Sequence, residues 1–108
     1  MDELEVQKAR VLRGSILKIL YEARPDFVTD RVLVATLGMM ELEVTPEELR
    51  KQLKFLHHYP HRNDGYVEAE LDPVAGSRRR RGKSRLTPCG INLWEKVVPA
   101  DVAIAEIE

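Results

Sequence analysis

The 108-residue chain has a single cysteine, Cys89. One thiol excludes an intramolecular disulfide framework and fits a reducing compartment. No apolar run approaches the roughly 18 residues that a membrane-spanning helix needs. The first residues, Met1-Asp2-Glu3-Leu4-Glu5, are acidic, unlike a secretory signal peptide. These absences predict a cytoplasmic protein. Aromatic residues make up only 6% of the chain, and the lack of stacking candidates beyond Tyr59 and Tyr66 argues against a platform for single-stranded bases. No Walker loop, G-x-G-x-x-G, H-E-x-x-H or G-x-S-x-G occurs, so the expectation is that the chain is not an enzyme. With six glycines and six prolines, it is neither collagenous nor low in complexity.

What remains is a globular mixture, 44% hydrophobic and 32% charged. The length suits one domain over residues 1–108, with a core about 4–97 and a tail 98–108. The formal net charge is only −1, but the charges are unevenly placed. Arg78, Arg79, Arg80, Arg81, Lys83 and Arg85 fall within nine residues that contain no acid. The rest of the chain then carries eleven basic residues against eighteen acidic ones. A basic block of this kind is an electrostatic footprint for a polyanion. The plain alternative is a solvated loop.

Hydrophobic spacing sets out the elements. Val6, Ala9, Leu12, Ile16, Ile19, Leu20 and Ala23 recur near a 3.6 period, predicting a helix over residues 3–23 that ends at Pro25. Gly14 lies in its interior at a cost of about 1 kcal/mol relative to alanine. Thr29 or Asp30 caps a second helix to about Met39, with Val32, Leu33, Leu37 and Met40 on its apolar side. Thr45-Pro46-Glu47-Glu48 reads as a capping box with proline at the first helical position. The third helix runs to about His58 with Leu49, Leu53 and Leu56 facing inward. Gly65–Leu71 then alternates, with Val67, Ala69 and Leu71 on one face and Glu68 and Glu70 on the other. A second strand follows at Lys83–Leu86, making a hairpin with a long basic tip. Thr87-Pro88 starts a fourth helix, about Pro88–Val97, carrying Ile91, Leu93, Trp94 and Val97.

Candidate chemistry is sparse. His57, His58 and His61 have poor zinc spacing, because Pro60 interrupts the register and only one cysteine exists. No metal or other cofactor and no small-molecule ligand is expected. Cys89 falls in the first turn of a helix, a position that lowers a thiol pKa. Catalysis would also need a base and an oxyanion site, and neither is visible.

The order helix, helix, helix, strand, basic loop, strand, helix resembles the winged helix-turn-helix family. Leu49, Leu53 and Leu56 followed by Gly65-Tyr66-Val67 resemble its passage from recognition helix to wing. Leu86-Thr87-Pro88-Cys89-Gly90-Ile91 resembles its L-T-x-x-G step into the last helix. The resemblance covers about residues 4–97. The pattern is also similar to small winged-helix proteins of Mu-like prophages. Two features depart from it: a long connector before the third helix, and the polar stretch Tyr59–Asp64.

The resemblance implies an α+β fold, with a three-helix core, a two-stranded wing and a C-terminal helix. It implies a double-stranded DNA-binding protein in a bacterial or prophage regulatory setting. The third helix would enter the major groove, with Arg50, Lys51, Lys54 and His58 as contacts. Arg78, Arg79, Arg80, Arg81, Lys83 and Arg85 would meet phosphate or the minor groove. Many such proteins are homodimers, and the first or last helix is the candidate interface. Against DNA stand Glu41, Glu43, Glu47 and Glu48, which would repel phosphate near the third helix. They favour an alternative, an interaction module whose arginine loop contacts an acidic protein partner of a phage replication or packaging complex. RNA recognition by the arginine loop is a weaker third reading.

Overall fold

A computed structural model describes residues 3–70 and 82–107. The described elements are α1 (Glu3–Glu22), β1 (Val28–Thr29), α2 (Asp30–Met39), α3 (Pro46–His58), β2 (Pro60–His61), β3 (Asp64–Gly65), β4 (Val67–Ala69), β5 (Lys83–Leu86) and α4 (Pro88–Trp94). The fold is therefore mixed α+β, with four helices and a small antiparallel sheet. Its sheet order is β1-β5-β4, with Val28 opposite Ser84 and Val67 opposite Leu86. β2 and β3 form a separate two-residue ladder. The predicted basic tip, including Arg78–Arg81, lies outside the described residues, as does Leu71.

Three helices begin on a threonine cap. The Thr29 hydroxyl accepts the amide of Val32 at 3.3 Å, that of Thr45 accepts Glu48 at 3.1 Å, and that of Thr87 accepts Gly90 at 3.1 Å. The reciprocal half of the capping box is not made; Glu48 is exposed and its carboxylate does not return to Thr45. α4 ends at Trp94, three residues before the expected Val97. There the backbone closes on itself: the Val97 amide donates to Asn92 O at 2.9 Å, and Lys96 takes the left-handed conformation, φ 61°. This closure satisfies the last carbonyls and redirects the chain. α2 stops in the same way, with Leu42 N donating to Leu37 O at 2.8 Å and Glu41 at φ 64°.

The core draws on most of the helix positions the spacing picked out, but Val6 and Val97 are exposed, and two further positions differ on α2 and α3. Ile16, Leu20, Leu33, Leu37, Leu49, Leu53, Leu56 and Val67 are almost wholly buried. Each such side chain contributes about 1.5–3 kcal/mol relative to exposure. Val32 points outward at 50% exposure, since its position on α2 faces away from α1 and α3. Gln52 is buried beside the leucines because Arg13 reaches it from α1, Nε to Oε1 at 2.8 Å.

The tail is part of the body. Ile104 is buried, and the Ala105 amide donates to Arg10 O at 3.1 Å. Arg13 also stacks on Phe55, 3.8 Å from its centroid, and donates to Ala103 O at 3.1 Å. Asp101 accepts from the hydroxyls of Tyr59 and Tyr66, which pins the tail to the start of the sheet. Burial lowers the Arg13 pKa, opposed by Tyr59 and Asp101. No described helix is long and apolar enough to cross a membrane.

Candidate nucleic-acid interface

α3 divides lengthwise. Leu49, Gln52, Leu53 and Leu56 face the core. Glu47, Lys51, Lys54 and His58 recur at i, i+4, i+7 and i+11, and all four are exposed. That spacing gathers them into one ridge, directed away from the core. Only two ion pairs occur among the described residues, Arg50–Asp30 and Arg85–Glu68. Lys51 and Lys54 thus have no described carboxylate within 4.0 Å.

Arg50 lies off the ridge, on the flank facing α2. Its Nε is 3.7 Å from Asp30 Oδ2, and both side chains are largely covered. Asp30 is the first residue of α2, where the helix dipole favours an anion. Its Oδ1 is buried without a described partner. Burial therefore raises the Asp30 pKa, and Arg50 offsets part of the rise.

The same residue meets the base of the basic segment. The Asp30 amide donates to Gly82 O at 3.0 Å, and a Cβ on Gly82 would lie 2.7 Å from Asp30 Oδ2. The Glu70 amide donates to Lys83 O at 3.0 Å, so both described ends of the segment sit side by side. Arg81 is bonded directly to Gly82. The described residues that flank Arg78, Arg79, Arg80 and Arg81 in sequence, Glu70 and Gly82, therefore lie beside the start of α2, where Asp30 pairs with Arg50. Those four arginines themselves lie outside the described residues.

Along β5 the side chains alternate. Ser84 and Leu86 are buried, while Lys83 and Arg85 are exposed on the outer face of the sheet. Both cations sit over Phe27, Lys83 Nζ at 4.7 Å and Arg85 Cζ at 4.4 Å from the ring centroid. Arg85 Nε also donates to Glu68 Oε2 at 2.9 Å. So Arg85 already has two partners, an aromatic face and a carboxylate. Phe27 and Asp30 are neighbours of the candidate residues that the linear reading missed. They lie 58 and 20 residues from the arginines they meet, and no local pattern signals such pairs.

Two of the three histidines, His57 and His58, meet backbone carbonyls. His57 Nδ1 lies 3.1 Å from Val67 O, and His58 Nδ1 lies 3.3 Å from Arg62 O. Among the described residues no three of His, Cys, Asp and Glu gather as a metal site. Cys89 departs from expectation. Its pKa is raised, chiefly by burial and secondly by Asp64, so the helix start does not activate the thiol.

No family model, curated protein or solved structure matches the chain.

Proposed function

We propose that this chain is a winged helix that binds double-stranded DNA in a regulatory role. α3 is the recognition helix, and β4 and β5 are the root of the wing. One observation carries the reading: Lys51 and Lys54 stand on the outward ridge of α3 and pair with no described carboxylate within 4.0 Å. A helix ridge of this kind fits a major groove about 12 Å wide. Lys51 and Lys54 supply phosphate contacts, and His58 extends the ridge. Arg50 is held beside the groove by Asp30 and is placed to bond a guanine edge once it leaves that pair. The wing arginines, Arg78–Arg81, add charge at phosphate or in the minor groove, joined by Lys83 at the wing's root.

Fluorescence anisotropy on a duplex across a salt series tests this. Each neutralised phosphate contributes about 0.9 to the slope of log K against log salt. Lys51→Ala with Lys54→Ala is expected to flatten the slope by about 1.8. Alanine at Arg78, Arg79, Arg80 and Arg81 is expected to flatten it further. Weak binding by the parent protein at every salt concentration overturns the reading.

A second reading, docking on an acidic protein, rests on a different observation. Glu47 heads the ridge, and Arg50 and Arg85 are already paired with carboxylates. Failure of the duplex titration at low salt selects it.

A further inference from the structure

The polar stretch after α3 is a built element. Pro60 pairs with Gly65 and His61 with Asp64, so the chain makes a tight hairpin whose tip is Arg62 and Asn63. Gly65 fixes the base. A Cβ there would collide with the carbonyls of His57 and Leu56, so the hairpin rests directly on the last turn of α3. The tip is fixed too. His58 belongs to the outward ridge, and its Nδ1 lies 3.3 Å from Arg62 O. The tip therefore lies on the side of the molecule that carries Lys51 and Lys54. Arg62 is exposed, and none of the described carboxylates pairs with it.

We infer that this hairpin is a backbone clamp, with Arg62 contacting a duplex phosphate just beyond the C-terminal end of α3. The inference rests on the DNA reading above and extends its footprint. α3 has 13 residues, a length of about 20 Å, and the major groove is about 12 Å wide. A helix of that length set across the groove, and not along it, brings one end over a phosphate strand. Glu47 and Glu48 occupy the N-terminal end, where they would repel phosphate. The C-terminal turn of α3 carries no carboxylate, and the hairpin adds exposed Arg62 at its tip and exposed Asp64 on its second strand, without closing the ridge. The hairpin end is thus the less acidic of the two, and Arg62 at its tip is the cation placed for the backbone. A phosphate contact reads no sequence, so its effect is the same on any duplex.

The test uses the full chain on two duplexes of unrelated sequence, in a salt series, with variants Arg62→Ala, Arg62→Lys, Lys51→Ala/Lys54→Ala, and Lys8→Ala on α1 as a general-charge control. Arg62 is exposed and outside the core, so Arg62→Ala is expected to keep the thermal midpoint. It is expected to flatten the salt slope by about 0.9 and to weaken binding about eightfold at 0.1 M salt, equally on both duplexes. Arg62→Lys is expected to restore most of the loss. If Lys51→Ala/Lys54→Ala weakens binding while Arg62→Ala matches Lys8→Ala, the clamp is overturned and the DNA reading stands. If the parent protein binds neither duplex at low salt, both are overturned.

Discussion

Tyr66 donates its hydroxyl to Asp101 at 2.7 Å, joining the start of the sheet to a residue 35 positions later in the tail. Tyr59 donates to the other oxygen of the same carboxylate at 2.8 Å, and the Ala103 amide donates to that oxygen as well, at 2.9 Å. Asp101 therefore joins the buried Ile104 and the bonds from Arg13 and Ala105 in holding the tail against the body.

Removing it is expected to release the tail. Hydrogen bonds to an ionised group contribute about 1.5–3 kcal/mol each, and both tyrosines are left without their acceptor. Asp101→Ala is expected to lower unfolding free energy by about 2–4 kcal/mol in urea titration. Asp101→Asn, which keeps one acceptor oxygen, is expected to lose less. Equal stability of Asp101→Ala and the parent would show that the latch contributes nothing.

The same contact sets an alkaline limit. Burial first, and then the bond to Asp101, raises the Tyr66 pKa far above its ordinary value near 10. Tyr59 shifts the same way, chiefly through its bond to Asp101. A raised pKa means that the folded state holds the proton more tightly. The associated stability is present below pH about 10 and is lost as pH rises beyond it. Stability is expected to fall as pH rises above about 10, and Tyr66→Phe is expected to make that fall shallower. Denaturant titration at pH 7, 9, 10 and 11 reads both slopes.

Gly14 reverses a rule. Alanine in place of glycine inside a helix ordinarily stabilises by about 0.5–1 kcal/mol. Here the added Cβ would meet the Ala105 carbonyl and lie 2.8 Å from Ile107 Cγ1. The tail must move away from α1, breaking the bond from Ala105 to Arg10. Gly14→Ala is therefore expected to lower the thermal midpoint and to speed proteolysis of the tail. A raised midpoint with an intact tail would contradict the close approach.

Asp30 links stability to binding. Its pKa is raised by burial, with Arg50 offsetting part of the rise. The folded state therefore prefers the protonated form, so the contribution of Asp30 to stability is fully present below about pH 4 and is lost as pH rises through the folded pKa. Asp30→Asn keeps the shape and removes that decline, flattening the acid limb of the stability curve. It also frees Arg50 and deletes a negative charge beside the proposed DNA face. Duplex affinity is expected to rise several-fold with a steeper salt slope. Unchanged affinity would show that Arg50 makes no contact.

Much of the frame is local and was legible. Thr45-Pro46 and Thr87-Pro88 mark helix starts because a threonine hydroxyl and a proline answer the unsatisfied first turn. Leu49, Leu53 and Leu56 mark a buried face because helical geometry brings them together. Val67, Glu68 and Ala69 alternate as a half-buried strand does. β1 was not legible. Val28 and Thr29 become a strand only because Ser84 and Lys83 lie across from them, 54 or more residues on. The end of α4 was missed because nothing at Lys96 signals a left-handed turn; the residue that usually marks one is glycine.

The division extends to the candidate site. By itself the sequence determined which helix is amphipathic, that Lys51, Lys54 and His58 fall at one helical spacing, and that positive charge concentrates at residues 78–85. These properties depend on neighbours a few positions apart. Tertiary structure alone decided that Asp30 holds Arg50, that Phe27 lies under Lys83 and Arg85, that the Pro60–Gly65 hairpin folds onto the ridge side of α3, and that the tail is latched through Asp101. Each is a contact between residues brought together by packing of the core. Burial and charge pairing act over distance in space, which the order of residues along the chain does not record.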